Sequence, residues 1–203
     1  MERVVSDRET RPGQTPIADI SGLKNKGIGT RAELDAAEAE NIRKAMVKYF
    51  AKRLTRRTAR FDLSWTKRLH REMFGDVWKW ASHFRTYDLN LGIPWRRVES
   101  NLQVLLENLA SWAQHDVSCL EQAVRLHYES VHIHPFPDGN GRWSRMLANI
   151  WLRLRRHPLT EWPAEMSGGE SRIRSQYIGA IKLADQGDLV PLLELHRRYT
   201  RSS

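Results

Sequence analysis

The tripeptide Gly139-Asn140-Gly141 constrains this fold more than any other stretch, because an apolar helical pattern begins directly behind it. Trp143, Met146, Leu147, Ile150, Trp151 and Leu154 recur at the spacing of one helix face. Glycines on both sides of an asparagine let the chain turn through positive φ, so that successive N–H groups face one concavity. The turn therefore sits at a helix N-terminus, where unpaired amides and the positive end of the dipole attract anions. Arg142 and Arg145 fall in the first turn of that helix, against the dipole and three residues apart, which suits a polyanion held above them. Asp138 precedes the turn, placed to hold a magnesium ion shared with phosphates. His134 precedes both, a base that titrates near neutral pH. A plain turn accounts for the glycines but leaves His134 and the two arginines unexplained.

His134-Pro135-Phe136-Pro137-Asp138-Gly139-Asn140-Gly141-Arg142-Trp143-Ser144-Arg145 resembles the active-site motif of the Fic (Fic/Doc) family, with every fixed position present. Among Fic proteins the chain most resembles the short bacterial group called mobile mystery protein B. The resemblance implies a mainly α Fic fold, a helical bundle with a short β-hairpin flap beside the active-site loop. It implies AMP transfer from ATP to a hydroxyl side chain of a target protein. His134 would be the general base and Phe136 the loop's anchor in the core. Asp138 would bind Mg2+, Gly139, Asn140, Gly141 and Arg142 the α- and β-phosphates, and Arg145 the γ-phosphate. A Doc-type kinase usually lacks the Gly-Arg pair that is intact here. Transfer of another nucleotide or of phosphocholine stays open, as does a catalytically quiet basic protein that binds nucleic acid or a regulator. The resemblance to mobile mystery protein B also points to a small helix-turn-helix partner protein.

The rest of the chain is read around that motif. A length of 203 residues with 40% hydrophobic content suits one domain with a proper core. Residues 1–29 read as an irregular N-terminal arm, broken by Pro12, Pro16 and four glycines, and 30–203 as the Fic domain. Thr30 and Glu33 form a capping box that opens a helix over 31–50. Many Fic proteins carry an inhibitory helix ending in Glu-Gly or Glu-Asn. Here Glu40-Asn41 fits that ending, although Ala36 stands where a hydroxyl residue belongs, making Glu40 the candidate inhibitor of Arg145.

Ser64 reads as the cap of a second helix, with a further short helix through Val77, Trp78 and Trp80. Tyr87, Leu89, Leu91 and Ile93 alternate like a strand. By analogy with the family, Leu89, Asn90, Leu91 and Gly92 become the candidate target-docking flap. Helices follow over about 98–112, about 117–131, 171–184 and 189–199. His127 and His132 lie five apart, off a common face and without a companion ligand, so packing histidines are expected rather than metal ligands.

A formal charge of +9 and a pI near 10.0 suit an acidic partner such as nucleic acid, and equally a set of solvated helix faces. The one cysteine, Cys119, excludes an intrachain disulfide and suits a reducing, cytoplasmic compartment. No apolar run of membrane-spanning length appears.

Overall fold

The computed structural model describes residues 22–166 and 171–200, apart from the side chain of Glu165. Most of the expected arm thus lies outside the described residues. Its last part, from Gly22, is tied down: Leu23 is buried and bridges Trp78, with Lys24 N–H donating to Val77 O at 2.9 Å and Lys79 N–H to Gly22 O at 2.9 Å.

Seven α-helices are described: α1 (Arg31–Phe50), α2 (Leu63–Phe74), α3 (Val98–Trp112), α4 (Cys119–Ile133), α5 (Asn140–Leu154), α6 (Arg172–Ala184) and α7 (Val190–Tyr199). The mainly helical fold agrees with the periodicity. The capping box is present as expected: Glu33 N–H donates to Thr30 Oγ1 at 3.2 Å and Thr30 N–H to Glu33 Oε2 at 3.0 Å. The start of α2 differs. Phe61 adopts φ 54°, which turns the chain so that Asp62, not Ser64, caps the helix and accepts from Trp65 N–H at 2.7 Å.

The helical hairpin α4–α5 forms the centre, with α3 and α7 against α4, and α1 with α2 against α5. Trp143, Leu147, Ile150 and Leu126 of this pair are fully buried in the main core. A smaller core of Val124, Tyr177, Ala180 and Leu192 joins α4 to α6 and α7. Burying large aromatic and aliphatic side chains is worth about 1.5–3 kcal/mol each. The two cores therefore hold both ends of the α4–α5 corner rigidly, and that corner is the motif.

Two expected elements are absent. Residues 75–82 form turns rather than a helix, because their backbone groups are claimed from outside: Val77 O and Lys79 N–H bond to the 22–24 segment, Asp76 N–H to Asn41 and Ser82 N–H to His70. The 85–94 stretch is an irregular loop and not a β-hairpin. Two of its carbonyls, those of Tyr87 and Ile93, are drawn to one buried guanidinium that also holds two carbonyls at the end of α4. Arg85 Nε donates to His134 O at 2.7 Å, one terminal nitrogen to Tyr87 O at 3.0 Å, and the other to Ile93 O and to Ile133 O at 3.3 Å. The alternation had no buried face behind it, since Tyr87 and Leu91 are exposed. The loop nevertheless lies against the motif: a Cβ on Gly92, whose φ is +92°, would fall 2.5 Å from His134 Cβ.

Replacing Arg85 with Met leaves these buried carbonyls unpaired, at about 1–3 kcal/mol for each such group. Arg85→Met is expected to lower stability by about 2 kcal/mol or more and to open 86–94 to proteolysis while cleavage elsewhere is unchanged. Urea unfolding with mapped limited digestion checks both.

Candidate active site

Helix α4 ends at His134, which takes the left-handed conformation (φ 53°, ψ 61°) as its C-cap. Residues 135–139 then turn, and α5 begins behind Gly139 (φ 79°). A side chain at Gly139 would strike the Phe74 ring at 2.6 Å, so conformation and space both require glycine. Gly141, expected to share the turn, is already helical, and a Cβ there would meet nothing nearer than Arg145 at 3.8 Å. Asn140 closes the corner from within. Its Nδ2 donates to Phe136 O at 2.8 Å, and its Oδ1 accepts from Phe136 N–H at 2.8 Å. The Asn140 side chain is therefore spent on the loop, and only its backbone N–H remains to face an anion.

Phe136 is fully buried and stacks on His70 with ring centroids 3.6 Å apart. His70 also fixes the loop's far side. Ser82 N–H donates to Nδ1 at 3.1 Å, which leaves the proton on Nε2 to donate to Asp138 O at 3.1 Å. Burial drives the His70 pKa down to about 3, so it is a neutral strut.

His134 is 7% exposed. Nδ1–H donates to Val131 O at 3.2 Å, which makes Nε2 the basic nitrogen. Burial, helped by the charge of Arg85, lowers its pKa to about 4 against the pull of the Val131 hydrogen bond. The ring is thus unprotonated at neutral pH. Asp138 has its pKa raised, burial outweighing the nearby Arg142. Its Oδ2 lies 3.5 Å from an Arg142 nitrogen yet has no hydrogen-bond partner among the described residues.

Arg142 lies 4.8 Å above the centre of the Phe74 ring and is ion-paired to Glu38 of α1. Arg145 projects along the same helix face to Tyr177, whose ring centre is 5.7 Å from its guanidinium carbon. These groups line a cavity of about 1060 Å³ walled by α1, the 90–92 loop, the motif and α6. A drug-sized or nucleotide-sized ligand fits such a volume. Arg31, Arg43, Arg174 and Lys182 add to its positive lining. His134, Asp138, Gly139, Asn140, Gly141, Arg142 and Arg145 are brought together here, with Asn90, Leu91 and Gly92 at the rim.

Glu40 is not brought in. It lies on the solvent side of α1, bound to Arg43 at 2.7 Å, and is half-exposed. The helix turns a different glutamate inward. Glu38 shares the buried stripe of Leu34, Asn41, Ala45 and Tyr49, is 1% exposed, and accepts from Trp78 Nε1 at 2.6 Å besides pairing with Arg142. The expected pairing of a helix-α1 glutamate with Arg145 is thereby corrected in both partners: the residue is Glu38 and the arginine is Arg142. Its signal was present in the sequence, as an acid interrupting an otherwise apolar 34–45–49 face. His70 and Arg85 gave no comparable signal, because each acts through backbone groups distant in sequence.

Comparison with known proteins agrees with this geometry. Residues 60–152 match the Fic/DOC family. That stretch resembles a Fic domain. Protein adenylyltransferase Fic of Drosophila willistoni is 33% identical over 130 residues, which cover 62% of this chain and 25% of that protein. The same enzyme of Drosophila melanogaster is 32% identical over 130 residues. The chain thus spans about a quarter of the length of these curated relatives. Among solved structures, BepC of Bartonella tribocorum with bound AMPPNP superposes with a TM-score of 0.65 at 19% identity, over 96% of this chain and 99% of that one. Fic-1 from C. elegans gives 0.64 at 22% identity, over 96% of this chain and 56% of that one. These structures show the Fic fold. Among the described residues no helix is long and apolar enough to cross a membrane, and no group of three or more His, Cys, Asp or Glu side chains is placed to hold a metal.

Two predictions follow from the electrostatics. Glu38→Gln keeps an acceptor for Trp78 and removes the charge opposite Arg142, so it should cost about 1.5–3 kcal/mol of stability and tighten nucleotide binding severalfold; parallel denaturation and nucleotide titration check both. His70 and His196, with pKa about 3, and His134, about 4, are neutral when folded and titrate near 6.5 when unfolded. Protons therefore favour the unfolded chain. Stability should be full above pH 6.5 and fall progressively as pH drops towards 4, which urea midpoints across that range will show.

Proposed function

We propose that this Fic domain is a protein adenylyltransferase that moves AMP from ATP onto a hydroxyl side chain of another protein. The observation that carries the reading is a neutral, buried histidine at the mouth of a cavity whose floor is a helix N-terminus with two arginines. The curated relatives bear the name adenylyltransferase, and the BepC structure was solved with AMPPNP, an ATP analogue. A polyphosphate lies along the N–H groups of Gly139 to Arg142, with the Arg142 guanidinium on the α- and β-phosphates and Arg145 on the γ-phosphate.

The target hydroxyl approaches over the 89–92 loop, which borders His134. His134 Nε2 takes the hydroxyl proton as the oxygen bonds to the α-phosphorus. The α–β bridging bond breaks, and pyrophosphate leaves with the electron pair. Positioning and charge supply most of the acceleration, since the protein forms no covalent bond to the nucleotide. A magnesium ion fits Asp138, whose buried Oδ2 has no hydrogen-bond partner among the described residues, provided phosphate oxygens and water complete its shell. Bound there, the ion would neutralise phosphate charge.

In the resting state Glu38 occupies Arg142, so nucleotide phosphate must compete with a buried carboxylate. This makes Glu38, not Glu40, the residue of α1 that can restrain the site. We take 30–203 as one domain, because α1 packs on α2 and α5. The single cysteine suits a cytoplasmic setting. The basic surface leaves room for an acidic partner, nucleic acid or a helix-turn-helix regulator included.

His134→Ala should abolish transfer of label from α-labelled ATP to protein, by at least about a hundredfold for loss of a general base, while nucleotide binding persists. Transfer at the parental rate would remove His134 from this role.

A further inference from the structure

The main cavity, Glu38 and the motif are accounted for by the site described, but a buried chain of polar side chains behind Arg145 is not. It begins at Tyr177 of α6. Tyr177 Oη lies 3.0 Å from His127 Nε2 of α4, and His127 Nδ1 lies 2.8 Å from His196 Nε2 of α7. His196 Nδ1 is 2.9 Å from Thr160 Oγ1, which is 3.3 Å from Thr200 Oγ1. Thr200 Oγ1 in turn donates to His196 O at 2.7 Å. His127, His196 and Thr160 are essentially without solvent exposure, so none can exchange its partner for water.

The direction of every bond in this chain is fixed from its ends. At one end the acceptor is a backbone carbonyl, which commits the Thr200 proton to it. Thr160 must then donate to Thr200, and its oxygen must accept from His196 Nδ1–H. With one proton per neutral ring, His196 Nε2 accepts from His127 Nδ1–H, and His127 Nε2 accepts from the Tyr177 hydroxyl. At the other end stands Arg145, whose guanidinium carbon lies 5.7 Å from the centre of the Tyr177 ring and which can only donate. In the reverse arrangement Tyr177 would accept from His127 and leave its own proton on the cavity side, beside a cation. The Thr200 end demands this polarity and the Arg145 end suits it, and burial keeps both rings neutral as the chain requires.

From this we infer that the Tyr177–His127–His196–Thr160 relay is a positioning device for Arg145, turning the tyrosine oxygen into a fixed acceptor that aims the guanidinium at the terminal phosphate of the nucleotide. The inference rests on the nucleotide reading given above. A long arginine beside an open cavity loses about 2 kcal/mol of rotamer entropy when it is fixed. A buried, one-way acceptor meets part of that cost before the ligand arrives, in the manner of preorganised sites. A neutral acceptor does so without cancelling the positive charge, unlike the carboxylate that faces Arg142.

The test is the ratio of ATP to ADP affinity, measured by titration calorimetry on the whole chain, because Arg145 is assigned to the phosphate that ADP lacks. His127→Leu removes the acceptor for Tyr177, and the ratio should fall about tenfold, equivalent to about 1.4 kcal/mol, with ADP affinity nearly unchanged. His127→Gln, which can still accept from Tyr177, should recover most of the ratio. Thr160→Val breaks the chain at its far end without touching the cavity and should lower the ratio in the same direction; it decides the matter if His127→Leu does not fold. An unchanged ratio in folded His127→Leu or Thr160→Val, or equal losses of ATP and ADP affinity, would overturn the inference. Failure of the parent protein to bind either nucleotide would overturn the functional reading itself.

Discussion

Everything in the site depends on the pair of hydrogen bonds between the Asn140 side chain and the backbone of Phe136. They close a five-residue corner between two buried helices, and they do so at the one place where α5 leaves its first N–H groups unpaired. The flanking supports are arranged on the same corner from outside. His70 holds the Asp138 carbonyl, Arg85 holds the His134 carbonyl, and Phe136 is pinned under His70. Because the corner is fixed by backbone contacts, the chemistry-bearing side chains of His134, Asp138, Arg142 and Arg145 are left to face the cavity.

That arrangement creates a charge problem, since two arginines are crowded at the positive end of a helix dipole. The protein answers it differently for each. Arg142 receives a buried carboxylate from α1 and the face of Phe74. Arg145 faces the ring of Tyr177, whose hydroxyl is backed by neutral histidines. On the proposed function the first pairing would have to loosen for phosphate to bind, whereas the second could persist with phosphate in place. The two arginines of one motif thus stand in environments suited to regulation and to positioning respectively.

The sequence disclosed the elements whose causes are local. The capping box at Thr30–Glu33, the apolar face of α3 and the glycine turn before α5 all follow from spacing of a few residues. It misled where the cause was remote. The alternation of Tyr87, Leu89, Leu91 and Ile93 has the period of a strand, but Arg85 claims the Tyr87 and Ile93 carbonyls that a strand would share with a neighbour. Glu40 matched a familiar ending, yet helical phase puts it outside and puts Glu38 inside, two residues away. His127 was expected to be a packing histidine. Its actual role needed α6 and α7 to bring Tyr177 and His196 within reach, and no local pattern announces that.

The central claim is that the corner binds ATP so that its α-phosphate is the one attacked. Incubating the protein and a cell extract with ATP labelled at either the α- or the γ-phosphate tests it most directly. Relative to the His134→Ala variant in the same extract, protein should gain the α label and no γ label. Retention of the γ label alone, or of neither label when ATP is bound at the site, would contradict it.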